Sequence, residues 1–415
     1  MPTYTPLKKF EIAALLVVSL FIILAIFSPQ VPLIGRPRPA PTTTTATTEQ
    51  NVFYKATVTK IIEEGIAEVD GLPQAYQKIE LRILNGDEKG KTVTIDHGGL
   101  FAIDRYQRVA EGEAVVLSKP LNSPKENFYY IIDKYRATNL LVIAALFLVL
   151  VVGLGRKKGL TSVVGMLFSL VIIFKVIIPR IILGSDPLWT CLIGGICIMI
   201  VSLYLSHGFN KRTSIALLST LVALGFALLI DILFVHLAKL SGTGTEDAFY
   251  LQLASAQIDL KGILLGAIII GVLGVLDDVT TAQTATIEEI SKANRALTFS
   301  QLYHSGLSVG REHIASLINT LLLAYAGASL PMFLLFYLQN NQPLWLTFNS
   351  NFLAEEIVRT LVGSAALILA IPITNAFAAY FYSRRAPLPL KPSTTREDSV
   401  AADNEALEQY WLEDK

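Results

Sequence analysis

Apolar residues run in long blocks along most of the chain, and the blocks have the length of membrane spans. About 20 apolar residues in an α-helix cross a hydrocarbon core of roughly 30 Å. Blocks of this kind occupy roughly 10–27, 139–154, 160–182, 188–205, 214–237, 261–282, 312–338 and 357–382. Between the first and the second the period changes to two. Val52–Ile61, Lys78–Leu84, Lys91–Ile95, Ala114–Leu117 and Phe128–Ile132 alternate or are β-branched, with turn signals at Asn85-Gly86, Gly90, Gly98-Gly99 and Gly112. Five or six short strands of this spacing predict a small barrel of OB or SH3-like type.

The pattern therefore predicts an α-helical polytopic membrane protein of about eight transmembrane helices, with a small extracytoplasmic all-β, barrel-like domain between helices one and two. In outline, residues 1–35 form an N-terminal membrane anchor, 36–51 a Pro/Thr-rich linker, 52–138 the β domain, 139–383 a seven-helix membrane domain and 384–415 a cytoplasmic tail. The first block could also be read as a cleaved signal peptide, although no small-x-small cleavage site follows Phe27. Residues 28–138 lie outside on either reading.

Composition agrees with a bilayer protein. Charged residues make up 16% of the chain, below the quarter or so usual for soluble domains, and 52% of residues are hydrophobic. Lys plus Arg equals Asp plus Glu at 34 each, so no basic field favours nucleic acid. Two cysteines support neither a disulfide framework nor a Cys-rich zinc site. The distribution of charge carries more than its sum. Lys8-Lys9, Arg156-Lys157-Lys158, Lys211-Arg212, Lys292, Arg295, Arg311 and Arg384-Arg385 alternate along the chain with segments 183–187, 241–258 and 339–354, which hold no Lys or Arg. By the positive-inside rule both termini are cytoplasmic.

Polar groups inside the spans mark the candidate chemistry, because an ionisable side chain at the bilayer centre costs about 2.5–3.5 kcal/mol on insertion scales. Asp231 and Lys175 fall at similar depth, roughly 22–24 Å from the cytoplasmic ends of their spans, and could meet as an ion pair; the alternative is a Lys175 that snorkels to the interface. Near the cytoplasmic boundary, Asp277 and Asp278 share a level with Asn319 and Thr320 and with Thr374 and Asn375, which follow Pro372. Oxygen-rich groups of this kind suit Na⁺, H⁺ or a polar solute. Asp278, Ala282, Ala285 and Glu289 recur at helical spacing as a small-residue stripe between two acids, and Arg311 is the expected charge partner. Asp277 or Asp278 could equally end the span at the interface. His207, His236, His304 and His313 have no metal-ligand spacing, the two aspartates are too far apart in depth for a protease dyad, and no nucleotide motif occurs. The residues assign no catalytic group, cofactor or metal.

The chain resembles the YibE/F family of bacterial multi-pass membrane proteins. The likeness lies in Gly274-Val275-Leu276-Asp277-Asp278-Val279, Ile287-Glu288-Glu289-Ile290, Gly310-Arg311-Glu312, Ile318-Asn319-Thr320-Leu321-Leu322-Leu323-Ala324 and Pro372-Ile373-Thr374. In the outer domain it lies in Leu84-Asn85-Gly86, Lys89–Val93 and Tyr130-Ile131-Ile132-Asp133. It covers nearly 52–382. The family usually has one aspartate, matching Asp278, and a glutamate matching Glu289, so Asp277, Glu288 and His313 are departures. The resemblance implies a bacterial plasma-membrane location and a multi-pass architecture; it implies no activity, since the family is described as uncharacterised or permease-like. Two functions remain: a secondary transporter or permease using the carboxylate/amide site for a small ion or polar solute, and an envelope scaffold binding an extracytoplasmic protein partner through the outer domain.

Overall fold

The computed structural model describes residues 51–69, 72–98, 103, 105–120, 128–254, 257–338 and 343–384. The chain divides into two compact units, one ending at Leu154 and the other resuming at Gly155. The predicted span at 10–27, the linker and the tail beyond Arg384 lie outside the described residues.

The first unit holds five antiparallel strands: β1 (Asn51–Val69), β2 (Leu72–Ile83), β3 (Thr92–His97), β4 (Ala114–Pro120) and β5 (Tyr130–Lys134). Their order is β3-β2-β1-β4-β5. Alternation along the strands turns Tyr54, Ala56, Val58, Ile79, Leu81, Ile83, Val93, Ile95, Val115 and Leu117 to one core. The barrel expected from the strand pattern is not formed. The sheet is open: β3 and β5 are its edges, and no ladder joins them among the described residues. Closure would need backbone hydrogen bonds between these two edges, and the short strands, six residues in β3 and five in β5, make none to each other; the β1–β2 hairpin instead extends alone to Val69 and Leu72. Gly98 is required where it stands; its φ is +99°, and a Cβ there would lie 2.3 Å from the Ala75 carbonyl oxygen.

Polar groups in this unit are closely matched. Gln77 is 1% exposed. Its Nε2 donates to the Val109 carbonyl at 3.0 Å, and its Oε1 accepts from the Val109 N–H at 2.9 Å. Glu88 accepts from Lys91 at 3.2 Å and also from Lys119 and Tyr129. Burial alone would raise the Glu88 carboxyl, but these hydrogen bonds outweigh it and bring the group down to about 2.

Helix α1 (Ala137–Ile172) begins in the first unit and continues into the second. A π turn at Ile173–Ile177 and a short helix α2 (Ile178–Ile182) complete a 46-residue apolar segment. Then follow α3 (Pro187–His207), α4 (Lys211–Leu237), α5 (Glu246–Ala254), α6 (Leu260–Ala293), α7 (Phe299–Ala328), α8 (Leu330–Leu338), α9 (Leu344–Phe348) and α10 (Asn351–Ser383). Local chemistry sets the boundaries. Asp186 accepts from the Trp189 N–H at the start of α3, with Pro187 in the first turn. Asn210 caps α4, a Thr298–Gln301 capping box opens α7, and Ser350 caps α10.

The expected count of eight spans is corrected. Among the described residues, five helical segments are long and apolar enough to cross a membrane, or six if α7 and α8, bent by 61°, form one span. The predicted break at Arg156-Lys157-Lys158 coincides with a kink between two helical stretches of this segment, where Arg156 has non-helical dihedrals (φ 49°, ψ −130°). The charges there suggest a loop, but the break takes a single residue, so the two stretches run on as one segment.

The centre of the second unit is α4, α6 and α10, which pack against one another, with α7 against α10 and α3 against α6. Their shared core includes Ala223, Ala227, Leu264, Ile268, Val272, Leu276, Val362, Ala366 and Ile371. Large apolar side chains such as Leu229, Leu233, Leu323 and Leu361 point outward. An apolar exterior around an apolar core is what a bundle solvated by lipid presents.

Candidate functional site

A buried polar seam runs through the apolar core of the second unit. On α4, Thr213, Thr220 and Asp231 are spaced seven and eleven residues apart, which places them on one face within about 20°. All three are buried, and Ala216, Ala223 and Ala227 fill the same face between them. Opposite, α6 contributes Thr280, Gln283 and Thr284, and α10 contributes Thr374 and Asn375; all five are fully buried. The hydroxyls of Thr220 and Thr280 are 2.7 Å apart and join α4 to α6. Thr284 donates back to the Thr280 carbonyl and Thr374 to the Ala370 carbonyl, each at 2.7 Å. Pro372, which lacks an N–H, sits in the same stretch of α10.

Gln283 is the hub on the α7 side. Its Nε2 donates to the Gly306 carbonyl and to Asn375 Oδ1, both at 2.7 Å. Two glycines one turn apart permit this approach. A Cβ on Gly306 would lie 2.9 Å from Asn375 Oδ1, and one on Gly310 would lie 2.4 Å from Ile371 Cγ2. The network is incomplete: Gln283 Oε1 and Asn375 Nδ2 have no hydrogen-bond partner, nor do both carboxylate oxygens of Asp231. Each such group carries the desolvation cost of a lost hydrogen bond.

At one end of the seam is a cleft of about 270 Å³, lined by His207, Arg212, Thr213 and Ala216 on the α3–α4 side and by Thr281, Ala282 and Ala285 on α6. Thr213 Oγ1 is buried there without a partner. Arg212 lies 3.9 Å from Glu288, which also meets Lys292 at 3.4 Å.

The residues singled out in the sequence are placed as follows. Thr374 and Asn375 are in the seam. Asp277 is half-buried with an unpartnered Oδ1, whereas Asp278 is exposed. Asn319 and Thr320 are exposed and do not join Asn375. Glu289 is exposed and pairs with Lys292 at 2.7 Å. Arg311 is exposed and makes no ion pair among the described residues. The expected Lys175–Asp231 pair is not made: Lys175 is exposed on the π turn, which packs against α3, while Asp231 is enclosed on α4. Matching depth on two spans did not make them neighbours. The sequence reading missed Thr213, Thr220, Thr280, Gln283 and Thr284. Their signal is present: Thr280, Gln283, Thr284 and Ile287 follow helical spacing, but the predicted span stopped at 282.

No group of three or more metal-ligating side chains occurs among the described residues. The family model described as YibE/F-like protein matches residues 143–384. No curated protein and no solved structure matches the chain.

Proposed function

The chain belongs to the YibE/F-like family, and on that premise we propose that this polytopic membrane protein is a secondary transporter or permease whose coupling group is Asp231. The observation that carries the reading is a fully buried carboxylate, with neither oxygen hydrogen-bonded, on the same helix face as the polar residues that lead to an open cleft. Such a group costs stability unless it is protonated or paired with a cation, which is the chemistry a coupling group uses. The rise of α4 puts it roughly 27 Å from Thr213, and small side chains fill the interval. Helices that meet through Ala and Thr can slide or rock with little steric cost, which is what alternating access requires. Thr220, Thr280, Gln283, Thr284, Thr374 and Asn375 supply the polar wall, Asp277 and Asp278 stand near its cleft end, and no catalytic residue is assigned.

The cleft end is proposed as cytoplasmic. Lys157, Lys158, Lys211, Arg212, Lys292 and Arg295 fall near the ends and turns on that side, against Arg180, Lys239, Lys261 and Arg359 toward the other. In proteoliposomes carrying an imposed proton or sodium gradient, wild-type protein is expected to dissipate one of the two gradients, and Asp231→Asn to abolish that flux. Equal flux in the variant, or none above protein-free vesicles under either gradient, would overturn the reading. The scaffold reading has its support in the outer unit, where the long β1–β2 hairpin exposes Ile62 and Ile66. It requires a phenotype that survives Asp231→Asn and is lost with the β unit.

A further inference from the structure

The geometry points to a binding site for a small oxyanion of the phosphate or phosphomonoester class in the cleft between the α3–α4 turn and α6. Three features on one side favour negative charge. Arg212 and His207 line the cleft. The cleft takes in the first turns of α4, a 27-residue helix whose N-terminus carries partial positive charge. Lys158 lies within electrostatic reach of His207. A fourth feature is independent of charge: Thr213 is 1% exposed, lines the cleft, and its hydroxyl has no hydrogen-bond partner. A buried hydroxyl normally finds an acceptor within the protein. Here the group is left to donate to whatever enters.

The opposite wall supplies room rather than charge. Ala282 and Ala285 carry only methyl groups, and the Thr281 hydroxyl is occupied by the Asp277 carbonyl at 2.9 Å. A cleft of about 270 Å³ accepts a small ion or a headgroup but not a large solute. Three acids stand near it, of which Glu289 is within electrostatic reach of Arg212 but pairs with Lys292 at 2.7 Å. Asp278 is within electrostatic reach of His207, and Glu288 is 3.9 Å from Arg212. That second contact is longer than a hydrogen bond, and Glu288 lies nearer to Lys292. A bidentate oxyanion at hydrogen-bonding distance therefore offers Arg212 a better partner than Glu288 does.

The same chemistry is offered by soluble phosphate and by the phosphodiester of an anionic lipid, and two arms of one experiment separate them. Full-length protein in a neutral detergent is unfolded thermally while sodium phosphate is titrated against sodium chloride of equal ionic strength. In the second arm, solubilised phosphatidylglycerol is titrated against phosphatidylcholine. Saturable stabilisation in either arm is expected, and the arm that responds names the source. Arg212→Gln should weaken the apparent affinity tenfold or more. Thr213→Val, which removes only the unpartnered hydroxyl, should weaken it threefold or more with no loss of unfolding temperature in the absence of ligand. No response beyond the matched control in both arms overturns the site, as does a response equal in wild type and both variants. Binding is measured without a gradient, so it stands or falls apart from the flux reading.

Discussion

Two glutamines, each buried in a different unit, show how differently the halves of this protein use polar groups. Gln77 in the β unit has both ends of its amide satisfied by one residue, the N–H and carbonyl of Val109. Gln283 in the helical unit is just as buried, but its Oε1 is unpartnered and so is the Nδ2 of its neighbour Asn375. The same contrast separates Glu88, held by two lysines and a tyrosine, from Asp231, held by nothing. A satisfied buried group fixes one structure; an unsatisfied one raises the energy of that structure relative to alternatives. The β unit is built for a single state. The seam is built so that a second arrangement, or an occupant, can compensate its open groups.

The largest expected effect tests this directly. Gln77→Leu leaves the Val109 N–H and carbonyl buried without partners, at a cost of about 2–4 kcal/mol. Hydrogen exchange of the β1 and β2 amides in the full-length protein would register the loss. The corresponding removal in the seam, Gln283→Leu with Asn375→Leu, deletes two open groups along with the bond between them and the bond to the Gly306 carbonyl, so loss and gain offset. It should be close to neutral in thermal unfolding. Equal destabilisation in both units would erase the distinction.

Asp231 carries the comparison further, with the opposite sign to a normal core mutation. Asp231→Leu replaces an unpartnered buried carboxylate by an apolar side chain of similar size and should stabilise the bundle by about 1–3 kcal/mol. A destabilised variant would mean that the carboxylate has a partner in the resting state, and the coupling role would lose its basis.

The sequence resolved the two units unequally, and for physical reasons. Strand positions followed from alternation: the core residues from Tyr54 to Leu117 are those the period of two selects. Closure did not, because alternation marks which residues face the core and not whether the edge strands β3 and β5 hydrogen-bond to each other. In the helical unit, the spans predicted from 188, 214 and 357 start at 187, 211 and 351, where Asp186, Asn210 and Ser350 cap them, so the apolar blocks located the helices and not their first turns. Nor did they mark the inward faces. Lipid is as apolar as the core, so hydrophobic periodicity does not separate a buried face from an exposed one. The small-residue stripe Asp278–Ala282–Ala285–Glu289 was read as packed; Ala282, Asp278 and Glu289 are exposed, and Ala282 and Ala285 open onto the cleft. The packed face is the neighbouring one, Val279, Thr280, Gln283 and Ile287. Ending the span at 282 hid it, since α6 continues to Ala293. Polar residues inside a helix that runs on past its apolar block are the better guide here.

The smallest effect separates the units by pH. In the β unit the Glu88 carboxyl is depressed to about 2 from an ordinary value of 4.5. Its folded form therefore binds protons less readily than its unfolded form. The stability it contributes is fully present above the ordinary carboxylate range and is lost as pH falls from about 4.5 through about 2. Hydrogen exchange at the β4 amides should accelerate across that window in wild type. In Glu88→Gln, which keeps the shape but accepts weaker bonds from Lys91, Lys119 and Tyr129, protection should be lower above the window and flatter through it. An unchanged pH profile in the variant would show that the lysines and Tyr129 hold Glu88 without drawing stability from its charge. The β unit would then owe its single state to its apolar core and to Gln77 alone.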